Sequence, residues 1–339
     1  AIPLRLWPDL LSRSTGAIGI EIMDTRVQIV ADIGGTNARF AYVEHDKDEL
    51  LGIEVFPCAD FPFLVDAIRA YMQRGDVTGV DKICLAVAGP VEEDRIDLPN
   101  NHWVFSQRQL ADSLGVVVEI INDFSAQVLS IDGLAESELQ WLGSARPSGG
   151  RVKAVVGPGT GLGVSAMMPS GYILPSEAGH VAFAPVDDHE AGLLKVLWER
   201  YHRVSAERVL SGPGLANLYW ANCRLDGHCR ELPAPEVTAG AQANDPYCLR
   251  AVTDFYAILA SFAGDVALMT GAADGVYLSG GILPRILDLL DQEMFRERFE
   301  DKGRFREFNN TVPLAIVRAE HPGLRGCVQA LRSGVGQAE

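Results

Sequence analysis

Two short stretches of the chain combine glycines with hydrogen-bonding side chains. DIGGTN at 32–37 and GPGTGLG at 157–163 each follow an apolar run, and each contains a threonine, Thr36 or Thr160. Glycine lets backbone N–H groups approach an anion closely, and a turn can gather several of them into an anion-binding nest. One such loop alone is better explained as a tight hairpin turn. Two matched loops, each with a hydroxyl donor, favour a ligand that carries phosphate groups.

Other glycine patterns limit the kind of nucleotide site. The Walker sequence of P-loop proteins is absent, and a dinucleotide fingerprint can be placed only on Gly161, Gly163 and Ala166. That placement is unfavourable because the residues that follow, VSAMM, indicate a strand rather than the required helix. A third glycine pair, Gly280 and Gly281, stands between a buried strand and a predicted helix start. The N-terminus of a helix also suits a nucleotide phosphate.

Polar side chains end one very apolar segment. The stretch EIINDF predicts a strand that ends at Asn122 and Asp123. Ligands of open α/β sheets usually bind at the carboxyl ends of the strands, so Asp123 is placed to act as a general base. Asn-Asp is equally favoured in a turn or as a helix cap. The residues alone support the two interpretations equally.

Three further residues are typical of a site for a polyhydroxylated ligand. Glu177 and His180 stand together in SEAGHVAFAP, and Glu207 lies in VSAERVL. A Glu-x-x-His pair can also ligate a metal, but no third ligand is evident, and hydrogen bonding to sugar hydroxyl groups needs none. Glu207 follows Ser205, so a carboxylate at a helix start is the alternative for that residue.

Length, charge and cysteine spacing narrow the class of protein. A chain of 339 residues exceeds what one hydrophobic core usually serves, which predicts two lobes. The formal net charge of −16 repels nucleic acids and anionic membranes, so neither is expected as a partner. No apolar run is expected to span a bilayer. The six cysteines have no spacing typical of a disulfide framework or a zinc site, which indicates thiols in a reducing cytoplasm.

The elements that must position these residues follow a repeated plan. VQIVADI and RFAYVE predict a hairpin around the first glycine loop, and VKAVVGPGTGLGVSAMM predicts another around the second. Helical spacing is predicted at 61–75, 106–115, 193–202, 248–271 and 284–299. Two units that both open with strand, glycine turn and strand indicate a duplicated α/β architecture with a cleft between its lobes.

Taken together, these segments resemble the bacterial-type glucokinases of the hexokinase, actin and heat-shock-chaperone superfamily. The similarity extends from about residue 28 to 335 and covers, in order, DIGGTNAR, INDFSAQ, GPGTGLGV, SEAGHVAFAP, VSAERVLSGPGLANLY, GGILPR and FEDKGRF. It implies a two-lobed actin-like ATPase (ribonuclease H-like) fold with a duplicated α/β domain and an interlobe cleft. The implied small domain is 25–133, completed by a C-terminal helix at about 323–339, and the large domain is 134–322. Residues 1–24 are expected to be an N-terminal extension of unclear role.

The resemblance also implies an activity, the transfer of the γ-phosphate of Mg-ATP to the 6-hydroxyl of glucose, with ATP and Mg²⁺ as cofactors. Asp123 matches the catalytic base, and Asp32 matches the residue that orients hydrated Mg²⁺. The matching ATP-binding positions are Asp32, Gly34, Gly35, Thr36, Asn37, Thr160, Gly161, Gly280 and Gly281. The matching sugar-binding positions are Asn100, Asn122, Asp123, Glu177, His180 and Glu207. The family also makes a cytoplasmic homodimer plausible.

The chain departs from the family's usual residues at three places. Ala178 stands where the family usually has a glycine, Ala182 stands where it often has an aspartate, and PNNHW replaces the usual Thr-Asn start. A methyl group at Ala178 could move this sugar-binding loop, which leaves a kinase for mannose, fructose or an amino sugar as an alternative. A catalytically silent sugar sensor and an actin-like filament or chaperone ATPase are further alternatives. The presence of Asp32 and Asp123 argues against the sensor.

Overall fold

The computed structural model describes residues 26–91, 93–98, 101–174 and 176–333. The first seven strands are β1 (Val27–Ile33), β2 (Asn37–Glu44), β3 (Leu51–Pro57), β4 (Val80–Val87), β5 (Arg95–Asp97), β6 (Val104–Ser106) and β7 (Val117–Asn122). Five of them form a sheet in the order β3-β2-β1-β4-β7, and β5 pairs with β6 separately. Within the sheet β1 is antiparallel to β2 and parallel to β4. The predicted hairpin around the first glycine loop is therefore present.

Three helices accompany this sheet: α1 (Leu64–Arg74), α2 (Gln107–Leu114) and α3 (Asp123–Ser130). Helix α2 has the ends that the sequence predicts. The Ser106 side chain accepts a hydrogen bond from the backbone N–H of Gln109 at 3.2 Å, and Gly115 takes the left-handed conformation with φ 70°. Helix α3 begins at the residue directly after β7, so Asp123 lies in the first helical turn.

The second sheet repeats the plan of the first. Its strands are β8 (Leu139–Trp141), β9 (Lys153–Pro158), β10 (Leu162–Met167), β11 (Ile173–Leu174), β12 (Val276–Leu278) and β13 (Leu314–Val317), in the order β11-β10-β9-β12-β13-β8. Strand β9 is antiparallel to β10 and parallel to β12, as β1 is to β2 and β4. Each sheet thus contains one hairpin whose turn is rich in glycine.

The second half of the chain also supplies eight helices among the described residues: α4 (Asp188–Leu197), α5 (Gly212–Leu225), α6 (Ala234–Gln242), α7 (Pro246–Thr270), α8 (Leu283–Ile286), α9 (Gln292–Glu300), α10 (Arg306–Thr311) and α11 (Pro322–Ser333). Two predicted helices are wrong in their extent. The helix predicted at 193–202 begins at 188, because Asp187 caps it through the N–H of Glu190. The helix predicted at 284–299 is interrupted, because Leu290 is extended and Asp291 caps a new helix.

Helices α3 and α11 share a core with both sheets. Ala126 of α3 and Leu324 of α11 belong to one buried cluster with Val30 of the first sheet and Val155 of the second. The two helices approach closely at Gly326, where an added Cβ would lie 1.7 Å from the carbonyl oxygen of Ala126. Glycine at this position of α11 therefore determines how near α11 packs to the helix that carries Asp123.

Helix α7 forms much of the core around the second sheet. It is long and apolar enough to cross a membrane, with a mean hydropathy of 1.4 over 18 of its residues, although no such segment was expected from the sequence. However, 67% of that 18-residue stretch is buried inside the protein. Residues such as Phe255, Leu259 and Val266 pack with the buried side chains of β9 and β12. Burial of this kind is typical of the core helix of a globular domain.

Candidate active site

The first glycine turn is a compact loop with one carboxylate at its base. The N–H of Gly34 donates to the carbonyl of Asn37 at 3.0 Å, which closes the turn between β1 and β2. Asp32 is the penultimate residue of β1, and Arg39 lies opposite it in the strand register, with 3.6 Å between guanidinium and carboxylate. Burial raises the pKa of Asp32, while the charges of Arg39 and His321 act in the opposite direction. An acidic group thus lies beside backbone donors suited to phosphate.

Two other segments hold this turn in place. The N–H of Cys58 donates to the carbonyl of Thr36 at 2.8 Å, and Asn101 Nδ2 donates to the carbonyl of Gly34 at 3.0 Å. The Thr36 side chain remains exposed. The predicted sugar ligand Asn100 lies outside the described residues. Its neighbour Asn101, which the sequence analysis did not select, connects that segment to the first phosphate loop.

The second glycine turn is tied to one of the predicted sugar ligands. The N–H of Gly159 donates to the carbonyl of Gly161 at 2.8 Å, and the exposed Thr160 lies between them. Glu207 Oε2 accepts a hydrogen bond from the N–H of Leu162 at 3.0 Å. An added Cβ at Gly161 would lie 2.6 Å from the same oxygen, so a side chain there would displace this carboxylate from its present position. Glu207 also lies in the first turn of a 3₁₀ helix, Ala206–Arg208, that follows Ser205, as the helix-start alternative has it, but the Ser205 side chain makes no capping hydrogen bond there.

The hydrogen bonds show which of Asn122 and Asp123 caps helix α3, a question that the sequence left open. Asn122 is the helix cap: its Oδ1 accepts from the N–H groups of Phe124 and Ser125 at 2.9 and 3.2 Å. Its Nδ2 donates to the carbonyl of Gly89 at 3.1 Å. Asp123 is therefore not needed to cap α3, although its Oδ1 accepts from the N–H of Phe124 at 3.0 Å. The carboxylate of Asp123 is available for chemistry.

The electrostatic surroundings of Asp123 make it a stronger base than an ordinary aspartate. Burial, and then the negative charges of Asp32 and Glu177, together raise its pKa to about 6 against the lowering effect of the hydrogen bond from the Phe124 N–H. The interaction with Asp32 brings together carboxylates that are far apart in the sequence. A perturbed carboxylate of this kind, between two glycine loops, is typical of a catalytic position.

The loop that carries Glu177 and His180 is exposed and polar. Glu177 Oε2 and His180 Nε2 are 3.9 Å apart, at the two ends of a 3₁₀ turn that spans Ala178–His180. Ala178 is not among the described non-glycine residues with positive φ, so its methyl group causes no backbone strain. At Gly179, in contrast, a side chain would not fit, because an added Cβ would lie 1.9 Å from the carbonyl oxygen of Leu162. The glycine that packing requires is the one this chain retains.

A cavity of about 870 Å³ opens beside the second glycine turn. Its lining includes Thr160 and Gly281 together with apolar residues of α5, α6 and α8, among them Leu215, Ala216 and Ala234. Gly280 packs against β9, where an added Cβ would lie 2.2 Å from the carbonyl of Pro158. A cavity of this size, with an apolar wall next to phosphate-type donors, suits a nucleoside. Of this lining the sequence indicated only Thr160 and Gly281, because the apolar wall comes from three separate helices.

Known proteins are similar to this chain over nearly its whole length. A family model described as Glucokinase matches residues 29–334. The glucokinase of Chromohalobacter salexigens is 44% identical over 314 residues, which are 91% of this chain and 98% of that relative. The crystal structure of a glucokinase from an Antarctic psychrotroph is 34% identical, with a TM-score of 0.83 over 91% of this chain and 99% of that one. A ROK family glucokinase from Streptomyces griseus, in complex with glucose and AMPPNP, is 19% identical with a TM-score of 0.64 over 91% of this chain and 100% of that one, and shares the fold.

Two sheets of one plan, each with a glycine hairpin, and a partly buried aspartate at the start of α3 define a kinase of the two-lobed actin-like ATPase class. The fold class predicted from the sequence is confirmed by the likeness to solved glucokinases. Because the family model covers most of the chain, and curated relatives reach 44% identity, the chain belongs to the glucokinase family. The family resemblance is therefore confirmed, and the roles of the individual site residues stay predictions.

Proposed function

We propose that this glucokinase family member transfers the γ-phosphoryl group of ATP to the 6-hydroxyl of glucose, with Asp123 as the general base. ATP-dependent phosphorylation of glucose is the activity of the matching family and of the named relatives, which confirms the predicted reaction. The observation that best supports the catalytic assignment is the position of Asp123. It is a partly buried carboxylate with a pKa of about 6, between the two glycine loops, and it is not required as a helix cap.

The chemistry needs few groups because phosphoryl transfer depends mostly on positioning and charge stabilisation. The oxygen of the glucose 6-hydroxyl attacks the γ-phosphorus, its proton passes to the Asp123 carboxylate, and the bond to the bridging oxygen of ADP breaks. With a pKa of about 6, Asp123 is ionised at neutral pH and still accepts a proton more readily than an ordinary aspartate. The two glycine turns supply backbone N–H groups for the phosphates.

Asp32 fits the predicted site for Mg²⁺. Magnesium prefers oxygen ligands, keeps several waters and usually binds one or two carboxylates together with substrate phosphates. Asp32 offers one partly exposed carboxylate at the base of the first glycine turn. When bound, Mg²⁺ would offset negative charge on the phosphates. Arg39, 3.6 Å from the Asp32 carboxylate, would hold that carboxylate in place.

The sugar would be held by polar side chains around Asp123. Glu177 and His180 are exposed on the 3₁₀ turn. Glu207 accepts the hydrogen bond from the N–H of Leu162 through Oε2, so its second carboxylate oxygen, Oε1, can accept one from a sugar hydroxyl group. Asn122 keeps one Nδ2 hydrogen beyond its bond to Gly89. These groups suit the hydroxyl groups of a hexose, and with Asn100 they form the proposed glucose site.

Product formation tests the proposed reaction. Incubation with Mg-ATP and glucose should give glucose 6-phosphate and ADP in equal amounts, detected by coupled oxidation of the sugar phosphate. The analogue 6-deoxyglucose lacks the attacking hydroxyl, so it should inhibit competitively and release no ADP above the rate without sugar. Turnover of 6-deoxyglucose would show that another hydroxyl is phosphorylated.

The apolar cavity beside Thr160 is the proposed site for the adenine ring. Replacing Ala216 with phenylalanine should fill part of this cavity and raise KM for ATP by about tenfold, which corresponds to about 1.4 kcal/mol. The affinity for glucose, measured by calorimetry without nucleotide, should not change. Ala239→Phe, at an exposed position of α6 outside the cavity, is the matched control. An unchanged KM for ATP in Ala216→Phe would place the adenine elsewhere.

We further propose a cytoplasmic enzyme, active as a homodimer, whose two lobes close on the substrates. The domain boundaries 25–133 and 134–322 are supported by the sheets, since the strands of the first lie within 27–122 and those of the second within 139–317. The proposal that α11 completes the small domain is supported by its packing against β1 and β4. Closure would exclude water, which competes with the sugar as phosphoryl acceptor.

A further inference from the structure

Phe124 directly follows the proposed base and lies against the second glycine hairpin. An added Cβ at Gly163 would lie 1.9 Å from Cε2 of the Phe124 ring, and one at Gly157 would lie 2.4 Å from its Cε1. Gly157 and Gly163 are partners in the register of β9 and β10. The ring therefore lies on a cross-strand pair of glycines, and any side chain at either position would displace it.

This contact joins the base to the second phosphate loop. The Thr160–Gly161 turn connects the two strands on which the ring lies. On the other side, the backbone N–H of Phe124 donates both to Asn122 Oδ1 at 2.9 Å and to Asp123 Oδ1 at 3.0 Å. One residue thus contacts the carboxylate through its backbone and the hairpin through its ring.

From this geometry we infer that Phe124 is a positioning residue, which holds the Asp123 carboxylate at a fixed distance from the second phosphate loop. The inference rests on the proposed role of Asp123. The base must reach the 6-hydroxyl while that oxygen is in line with the γ-phosphorus, so the base and the phosphate loop must keep their separation during turnover. A displacement of about 1 Å between reacting groups can cost about 100-fold in rate. A purely structural role for the ring would instead affect only the stability of the protein.

Phe124→Leu tests the inference, since leucine is apolar but cannot cover both glycines as a planar ring does. Measured well below the unfolding temperature, kcat for glucose should fall by about 10–100-fold. KM for glucose should stay within about threefold, because the proposed sugar ligands Glu177, His180 and Glu207 lie on other segments. Phe308→Leu is the matched control: Phe308 is also half-buried, packs on the core of the second sheet and is remote from the site. It should leave kcat unchanged.

Gly163→Ala gives an independent test from the opposite side of the contact. The added methyl group should displace the intact ring and lower kcat in the same way as Phe124→Leu. In the Phe124→Leu background the same substitution should cost much less, because the ring is no longer there to be displaced. Where Phe124→Leu folds poorly, Phe124→Met supplies a flexible apolar side chain of similar size for the same assay.

The pH profile separates this inference from the proposed base. In Phe124→Leu, kcat/KM should still decrease as the pH falls through 6, since Asp123 remains the base. In Asp123→Asn, kcat/KM should not show this decrease. A Phe124→Leu enzyme with wild-type kcat and only a lower unfolding temperature would overturn the positioning role alone. So would an effect confined to KM. If kcat/KM of Asp123→Asn still decreased below pH 6, that result would overturn the base assignment instead.

Discussion

Replacing Asp123 with asparagine is expected to lower kcat for glucose by about 10²–10⁴-fold, the usual contribution of a general base. Asparagine has nearly the same shape and can still accept the hydrogen bond from the Phe124 N–H, so helix α3 should keep its position. It cannot take a proton from the sugar. Glucose affinity, measured by calorimetry, should change by less than about fivefold, because the proposed site holds the sugar through several other side chains.

The pH dependence of the same pair of enzymes gives a second result. The pKa of Asp123 is about 6, so wild-type kcat/KM should fall as the pH decreases through 6 and the base becomes protonated. The folded pKa lies above the ordinary value of 3.8, so the ionised group opposes folding. This cost is fully present above pH 6 and disappears as the pH falls towards 3.8. Asp123→Asn should therefore unfold at a higher temperature than the wild type at pH 8.

Asp112→Asn is a suitable control for this experiment. Asp112 is exposed on α2, outside the residues that form the site. Its replacement should leave kcat, the decrease of kcat/KM below pH 6 and the unfolding temperature unchanged. Turnover of Asp123→Asn at the wild-type rate would remove Asp123 from the base role.

Gly326→Ala is expected to have the largest effect among substitutions that do not replace a site residue. The new methyl group would lie 1.7 Å from the carbonyl oxygen of Ala126, a backbone atom that cannot move away without moving α3. Overpacking of this kind typically lowers the free energy of unfolding by about 1–3 kcal/mol. Because α3 carries Asp123 at its first turn, kcat should fall as well. Urea unfolding and steady-state kinetics on the same preparation measure both effects.

Gly192→Ala is the matched substitution. Gly192 also lies inside a helix, α4, but an added Cβ would meet only the flexible side chain of Leu225 at 3.4 Å. Alanine is a better helix former than glycine, so this variant should be neutral or more stable by up to about 1 kcal/mol. Equal stability of Gly326→Ala and Gly192→Ala would contradict the close packing of α11 on α3.

Features set by neighbouring residues were predictable from the sequence. Ser106 and Gly115 fix the ends of α2 through contacts within three or four residues, and both hairpins follow from strands that flank a glycine turn. The interruption at Leu290 was not predictable in the same way. The apolar spacing continues through it, and only the cap at Asp291 starts a new helix.

Features of the site that depend on distant segments could not be derived from spacing. The bond between Glu207 and the N–H of Leu162 joins positions 45 residues apart. The contact of Phe124 with Gly163 likewise requires α3 to pack on the second sheet. Local sequence did identify Asn122 and Asp123 as important, but their division into a helix cap and a free carboxylate needed the hydrogen bonds.

The most direct test of the whole account is the initial rate of ADP release from Mg-ATP with glucose, mannose, fructose, N-acetylglucosamine or no sugar. The account predicts strong turnover with glucose, little with the other sugars, and almost none without sugar, because water is a poor competitor in the closed site. Asp123→Asn should lower the glucose-dependent rate by about 10²–10⁴-fold. Equal ADP release with and without glucose, or turnover only with another hexose, would contradict a glucose kinase built around Asp123.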